Sequence, residues 1–193
     1  MEKIIVQKRE FEILETLSDN SFKVQRKKKV FFLKQFKNYG DFSMFIERRK
    51  LFLNNGVRCP KTIYKDKNNL SVVTDFIEGE NVLEMLYKAP LDESVYKSIF
   101  LLCYLARLAK MMPDFDPSNY LFTTSGKLYY MSLKYDKYDE KNNFVQKGIK
   151  LWFYTKEFSS LLLEKGHQID KSRLKEDYAI NKEIVLMTVK YYN

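Results

Sequence analysis

Asp114 and Asn119 lie five residues apart in the stretch Met-Pro-Asp-Phe-Asp-Pro-Ser-Asn. Side chains of these two types at this spacing could take part in catalysis. A carboxylate can orient or deprotonate an attacking hydroxyl group, and an amide oxygen can help to hold a hard metal ion. The two residue types occur at this spacing by chance in many proteins. The pair therefore indicates a site only if the surrounding elements supply the other parts that such chemistry needs.

The pair is expected between a long helix and a β-hairpin. Residues 92–111 carry apolar side chains at helical spacing, and residues 120–122 and 128–131 flank a Thr-Thr-Ser-Gly-Lys turn. Two further helices are expected at about 144–165 and 171–191. The second part of the chain is thus predicted to be mainly helical, with one embedded hairpin.

The first part of the chain is rich in strand-forming residues. Four adjacent cations, at residues 26–29, predict a hairpin turn between two strands rather than a nucleic-acid patch. Asp41 can cap a helix that ends at Asn54-Asn-Gly56. The β-compatible runs lie at 11–17, 21–25, 30–36, 62–64 and 70–76. Strands followed by helices predict an α+β fold with a strand-rich part at 1–76 and a helical part at 77–193, which holds the loop segment 112–122.

Composition narrows the class of protein. The chain has 193 residues, 45% of them hydrophobic, which fits a folded domain. Two cysteines in apolar surroundings and no signal-peptide pattern favour a reduced, cytoplasmic protein, and no apolar run is long enough to span a membrane. The single histidine, His167, excludes a histidine-rich metal site. A net charge of +9 indicates either a solvated basic surface or attraction to a polyanion such as RNA or nucleotide phosphates.

Two charged residues in the first part of the chain can be added to this order of predicted elements. Lys34 lies in the predicted strand 30–36, and Glu47 lies on the helix that follows. The order of strand with Lys, helix with Glu, two strands, connector, long helix, Asp-x4-Asn loop and hairpin resembles the protein-kinase superfamily. The resemblance is to small atypical members: the kinase of the tRNA-modifying KEOPS complex, RIO-like kinases and lipopolysaccharide kinases. It covers nearly the whole chain and depends on the order of elements, with the Asn-Gly-Val-Arg-Cys-Pro step at 55–60 and the hinge-like run 72–79 in the expected places.

The resemblance implies a two-lobed fold and a role for each matching residue. Lys34 would contact nucleotide phosphates and Glu47 would hold that lysine, while Asp75, Phe76 and Ile77 would border the adenine. Asp114 would be the catalytic base and Asn119 a metal ligand. An active enzyme would also have to recruit a carboxylate for the metal, such as Asp116 or Asp136. ATP and magnesium are the cofactors that this pattern implies.

Three departures from the family pattern put phosphotransfer in doubt. The glycine-rich loop is expected at residues 18–22, yet no glycine precedes Gly40. Ser132 falls where the metal-binding Asp of the Asp-Phe-Gly motif is expected, with Asp136 four residues further on. Met112 and Pro113 stand where the family has His-Arg or His-Gly.

Four functions therefore remain open from the sequence. The first is a degenerate kinase, or pseudokinase, that acts by binding a nucleotide or a protein partner. The second is an active but divergent ATP-dependent phosphotransferase on a protein or small hydroxyl substrate. The third is an RNA-associated accessory protein, and the fourth is an unrelated α+β fold in which the match of motifs is coincidence.

Overall fold

The computed structural model describes residues 2–191, so the ends of the predicted lobes at 1 and 192–193 lie outside it. The chain folds into two compact units. The N-terminal unit comprises the chain up to Asn54 together with Cys59–Glu78. The C-terminal unit comprises Asn55–Arg58 and the chain from Gly79 onward.

The N-terminal unit is one antiparallel sheet with a helix inserted between two of its strands. Along the sheet the strand order is β1-β2-β3-β4-β6-β5, so only the last crossover departs from sequence order. The elements are β1 (Lys3–Val6), β2 (Arg9–Ser18), β3 (Ser21–Arg26), β4 (Lys29–Gln35), α1 (Tyr39–Asn54), β5 (Thr62–Asp66) and β6 (Ser71–Asp75).

The sheet is curled so that its two edge strands meet. The backbone N–H of Gln7, just after β1, donates to the Asp66 carboxylate at the end of β5 over 2.7 Å. Alternate residues of the strands point to the inside of the curl and form its core. That core consists of Val6, Phe11, Val24, Leu33 and Val73, all fully buried, with Phe31 and Tyr64 packed edge-on against Phe11.

The four cations at residues 26–29 form the predicted hairpin turn. Arg26 and Lys29 are paired across β3 and β4, and Lys27 and Lys28 are the two loop residues between them. Their φ angles are +49° and +63°. A two-residue hairpin whose loop residues both have positive φ follows the right-handed twist of its strands. The prediction of a turn here is confirmed.

Up to residue 191, the C-terminal unit combines four α-helices with two small antiparallel sheets. One sheet has the order β10-β9-β7 and the other pairs β11 with β8. The elements are β7 (Glu80–Asn81), α2 (Val82–Lys88), α3 (Glu93–Leu108), β8 (Met111–Pro113), β9 (Tyr120–Phe122), β10 (Leu128–Tyr130), β11 (Tyr135–Lys137), α4 (Lys156–Glu164) and α5 (Asp177–Tyr191), with 3-10 turns at Pro117–Asn119, Gly148–Trp152 and Lys171–Arg173.

The α+β fold class is confirmed, and so is the hairpin of β9 and β10, where Tyr120 pairs with Tyr130. The single helix expected at 144–165 is wrong. The 3-10 turn Gly148–Trp152 and α4 take its place, because Thr155 caps α4 by accepting the Phe158 N–H over 3.0 Å. Within residues 2–191, no helix has the length and apolar character needed to cross a membrane.

Candidate functional site

Two buried tyrosines fix the backbone on both sides of Asp114. The Asp114 N–H donates to the Tyr130 hydroxyl over 3.0 Å, and the Tyr120 hydroxyl donates to the Asp114 carbonyl over 2.8 Å. Both rings are fully buried. Burial raises the pKa of Tyr130 to about 12 and that of Tyr120 well above its usual range. Both hydroxyls therefore stay protonated at neutral pH and keep their hydrogen bonds.

Neighbouring elements anchor the rest of the loop. Pro113, before the loop, pairs with Tyr135 of β11, and the Tyr130 hydroxyl also donates to the Lys134 carbonyl over 2.5 Å. The Trp152 indole N–H donates to the Phe115 carbonyl over 2.8 Å. The Asp114 carboxylate itself is exposed and accepts the Asp116 N–H over 3.0 Å. The loop thus presents an acid to solvent from a rigid backbone.

Gly148 provides the space for the next residue of the loop. A Cβ at Gly148 would lie 2.5 Å from the Phe115 ring, which is closer than van der Waals contact permits. Phe115 also packs against Phe144, with ring centroids 5.5 Å apart. The sequence gives no direct signal for this contact, since Phe115 and Gly148 are 33 residues apart in the numbering. A glycine is required here for close approach.

Asn119 ends the 3-10 turn after Asp114 and keeps its side chain free. Its N–H donates to the Asp116 carbonyl over 3.0 Å, and its carbonyl accepts the Met131 N–H over 2.9 Å. Within residues 2–191 its side-chain amide has no hydrogen-bond partner. The C-terminal unit therefore brings the Asp114 and Asn119 segments together on one short loop, with the amide of Asn119 available to a ligand.

Asp116, predicted as a recruited metal ligand, already has partners for both oxygens. One oxygen accepts the Ser118 N–H over 2.8 Å and so caps the 3-10 turn. The other forms an ion pair with Lys165 over 2.8 Å. The Asp116 side chain is 20% exposed, so this pair is only partly screened by water. A metal ion at Asp116 would have to compete with the ammonium group of Lys165.

The remaining donors near Asp114 do not fit a magnesium ion. Ser132 offers only a neutral hydroxyl. Asp136 is exposed and pairs through its backbone with Met112 in the β8–β11 ladder. In the described part of the chain, no three His, Cys, Asp or Glu side chains converge as a metal site. Magnesium prefers anionic oxygens in octahedral geometry, and this set offers one free carboxylate beside an amide.

In the N-terminal unit, Lys34 is not paired with Glu47. Lys34 lies on β4, half-buried, and its Nζ is 5.7 Å from the ring centroids of both Phe36 and Phe45. Glu47 is exposed and accepts a 2.8 Å hydrogen bond from Ser43 on its own helix. The buried residues of α1 are Phe42, Arg49 and Phe52. At about 100° per residue, Glu47 lies about 160° from Arg49 around the helix, which explains its exposure.

Arg49 is the charged residue of α1 that faces the core, and the sequence analysis did not single it out. It is 3% exposed, donates to the Pro60 carbonyl and lies 4.5 Å from the Phe45 ring centroid. Burial lowers its pKa to about 10, and the neighbouring Cys59 and Asp75 partly offset this effect. It remains charged at neutral pH. Its position in the stripe 42, 45, 49 and 52, at helical spacing, is the signal that could have identified it.

The three predicted adenine-bordering residues lie at and just beyond the end of β6 and are half-buried. Asp75 donates its N–H to the Lys61 carbonyl over 3.0 Å, and the Lys23 ammonium lies 4.8 Å from the Phe76 ring centroid. Ile77 follows in the connector.

The expected glycine-rich loop is a tight turn. Ser18 and Ser21 are paired across β2 and β3, and Asp19 and Asn20 form the loop between them. The Asn20 carbonyl accepts the Gln35 N–H over 2.9 Å, which ties the turn to the end of β4.

Comparison of the chain with known proteins finds no match: no protein-family model and no curated protein is similar to it.

Proposed function

We propose that this protein is a kinase-like protein in which phosphotransfer is weak or absent, and that it acts by binding a nucleotide or a protein partner. The observation that carries this proposal is the Asp114 loop. Its backbone is held rigidly by Tyr120 and Tyr130, yet Ser132 stands where a carboxylate is expected, and the Asp116 carboxylate is already paired with Lys165. Neither Ser132 nor Asp116 therefore offers a free anionic oxygen to a metal ion beside Asp114 and Asn119.

The order of the strands in the N-terminal unit also supports a kinase-like fold. Lys34 lies on β4, which pairs with β3 on one side and with β6 on the other, and α1 is inserted between β4 and β5. This agrees with the order of elements that the sequence resemblance implies. Within residues 2–191 Lys34 makes no ion pair, so an anionic ligand would supply its counter-charge.

The free-energy cost of losing a metal ligand explains why phosphotransfer is expected to be weak. Phosphoryl transfer depends almost entirely on positioning and on neutralising charge, and metal ions supply much of that. The loss of one main metal ligand costs on the order of 3–5 kcal/mol of barrier, or a factor of about 10² to 10⁴ in rate. Binding of the nucleotide through Lys34 does not depend on the same ligands.

Nucleotide binding is tested by thermal shift and calorimetry with ATP, in magnesium and in EDTA. We expect ATP to raise the melting temperature in both buffers, because binding to the folded state stabilises it. Lys34→Met should abolish this shift, while Lys37→Met, an exposed lysine three residues away, should keep it. An equal shift in wild type and Lys34→Met would contradict a role for Lys34 in binding.

The alternative is an active, divergent ATP-dependent phosphotransferase. It is favoured by the free amide of Asn119 and the exposed carboxylate of Asp114, which are open to a substrate. It requires turnover that depends on Asp114. Turnover that survives Asp114→Ala would exclude this alternative.

A further inference from the structure

A cleft of about 630 Å³ lies on the N-terminal unit, where the β1–β2 turn meets the β5–β6 turn. The cleft is lined by three lysines, Lys8, Lys65 and Lys67, and its wall is completed by Ile5, Gln7, Asp66, Asn68 and Asn69. It does not include Lys34 or any other residue of the candidate site described above. Volumes of about 300–1,000 Å³ are typical of sites for small ligands.

The three lysines of this cleft are free to bind an anion. Each is exposed, and none of them forms an ion pair with another residue in the range 2–191. Like charges that converge on a concave surface raise the local potential and attract counter-ions. Lys65 precedes the buried Asp66 on β5, so strand alternation directs it to the outer side of the sheet, and Lys67 is the first residue of the turn that follows β5.

Asp66 does not serve as a counter-ion for these lysines. Its carboxylate accepts the backbone N–H groups of Gln7, Asn68 and Asn69 over 2.7, 3.0 and 3.2 Å, and the residue is only 9% exposed. These bonds join the two turns that form the walls of the cleft. The Gln7 side chain adds a bond to the Lys65 carbonyl over 2.6 Å. The cleft is therefore shaped before any ligand arrives, which reduces the entropic cost of binding.

We propose that this cleft binds a small ligand or a headgroup that carries two or more phosphate groups. Ammonium groups and amide N–H groups are the donors that bind phosphate oxygens. No aromatic side chain lines the cleft, so it offers no surface on which a base could stack. This favours clustered phosphates over single-stranded nucleic acid. The proposal does not depend on the kinase-like function.

The test is a calorimetric titration with inositol hexakisphosphate at low salt, using two variants of equal charge. The triple variant Lys8→Ala, Lys65→Ala, Lys67→Ala removes the cleft lysines. The matched control Lys27→Ala, Lys28→Ala, Lys29→Ala removes three lysines at the β3–β4 turn of the same unit. We expect the first variant to bind at least about 10-fold more weakly than wild type and the second to stay within about 2-fold. Circular dichroism should show that both variants are folded.

A second arm separates the two sources of phosphate. Vesicles of phosphatidylcholine with and without a multiply phosphorylated inositol lipid are sedimented with the protein. Lipid-dependent binding that the cleft variant loses supports a membrane headgroup, and binding of the soluble phosphate alone supports a free ligand. Equal weakening in both triple variants, no binding of either phosphate source, or tighter cleft-dependent binding of single-stranded RNA would overturn the proposal.

Discussion

At the scale of single residues, the Tyr130 hydroxyl is the central contact of the Asp114 loop. It accepts the Asp114 N–H and donates to the Lys134 carbonyl in a fully buried position. Tyr130→Phe leaves both backbone groups without this partner, so we expect a loss of about 2 kcal/mol in the free energy of unfolding. Urea denaturation followed by fluorescence measures this loss.

Tyr129→Phe is the matched control for this change. Tyr129 lies next to Tyr130 on β10, is half-buried, and its hydroxyl has no partner within residues 2–191. We expect its free energy of unfolding to stay within about 0.5 kcal/mol of wild type. Equal losses in the two variants would show that the Tyr130 hydroxyl does not hold the loop.

The Asp66 carboxylate provides a pH-dependent contribution to stability. The N–H groups of Gln7, then of Asn69 and Asn68, hold its pKa below the usual range. A carboxyl group whose folded-state pKa is lowered stabilises the fold above its unfolded pKa of about 3.9, and this contribution is lost as the pH falls through the folded pKa.

Asp66→Asn should therefore cost about 1 kcal/mol at pH 7 and progressively less as the pH falls below about 4. The measurement is urea denaturation of wild type and variant between pH 3 and pH 7. Asp136→Asn, at an exposed residue with the same change in charge, should show no such convergence. A difference between wild type and Asp66→Asn that stays constant with pH would contradict the role given to the Asp66 charge.

At the scale of elements, the β3–β4 turn carries strain in its two loop residues. Lys27 and Lys28 both have positive φ, where a side chain costs about 1–2 kcal/mol relative to the ordinary helical region. Asn and Gly adopt this conformation most readily. Lys27→Asn with Lys28→Gly should therefore raise the free energy of unfolding by about 1 kcal/mol and the melting temperature by about 2–4 °C.

The β2–β3 turn serves as the control for that prediction. Asp19 and Asn20 also form a two-residue loop, but neither has a positive φ. Asp19→Asn with Asn20→Gly should bring no gain in melting temperature, because no strain is relieved. A similar gain at both turns would mean that the effect comes from removing charge or from changes in the unfolded chain.

The sequence predicts those elements that have a strong local pattern. It does not predict the features that depend on contacts between residues far apart in the chain. Runs of β-compatible residues predicted the strands β2 to β6, and the cations at 26–29 predicted a turn. The short strands β8 and β11 were missed because three residues carry too little pattern, and each is stabilised by pairing with the other. On α1, the order of residue types along the chain suggested Glu47 as the partner of Lys34. The helical spacing instead places Arg49 on the buried face of α1, with Phe42 and Phe52.

At the scale of the whole molecule, each unit supplies a different part of the proposed function. The N-terminal unit holds Lys34 on a central strand, and the C-terminal unit holds Asp114 and Asn119 on a fixed loop. The motif spacing predicted the Asp114–Asn119 loop. The spacing could not predict the ion pair between Lys165 and Asp116, because a contact between residues 49 positions apart leaves no local pattern in the sequence.

The proposed function depends above all on one claim, that an acid without anionic metal ligands around it does not support efficient phosphotransfer. The direct measurement is the rate of phosphate release from ATP in saturating magnesium, for wild type and for Asp114→Ala. We predict that wild type does not exceed the Asp114→Ala background. Magnesium-dependent turnover in wild type that Asp114→Ala abolishes would contradict the claim.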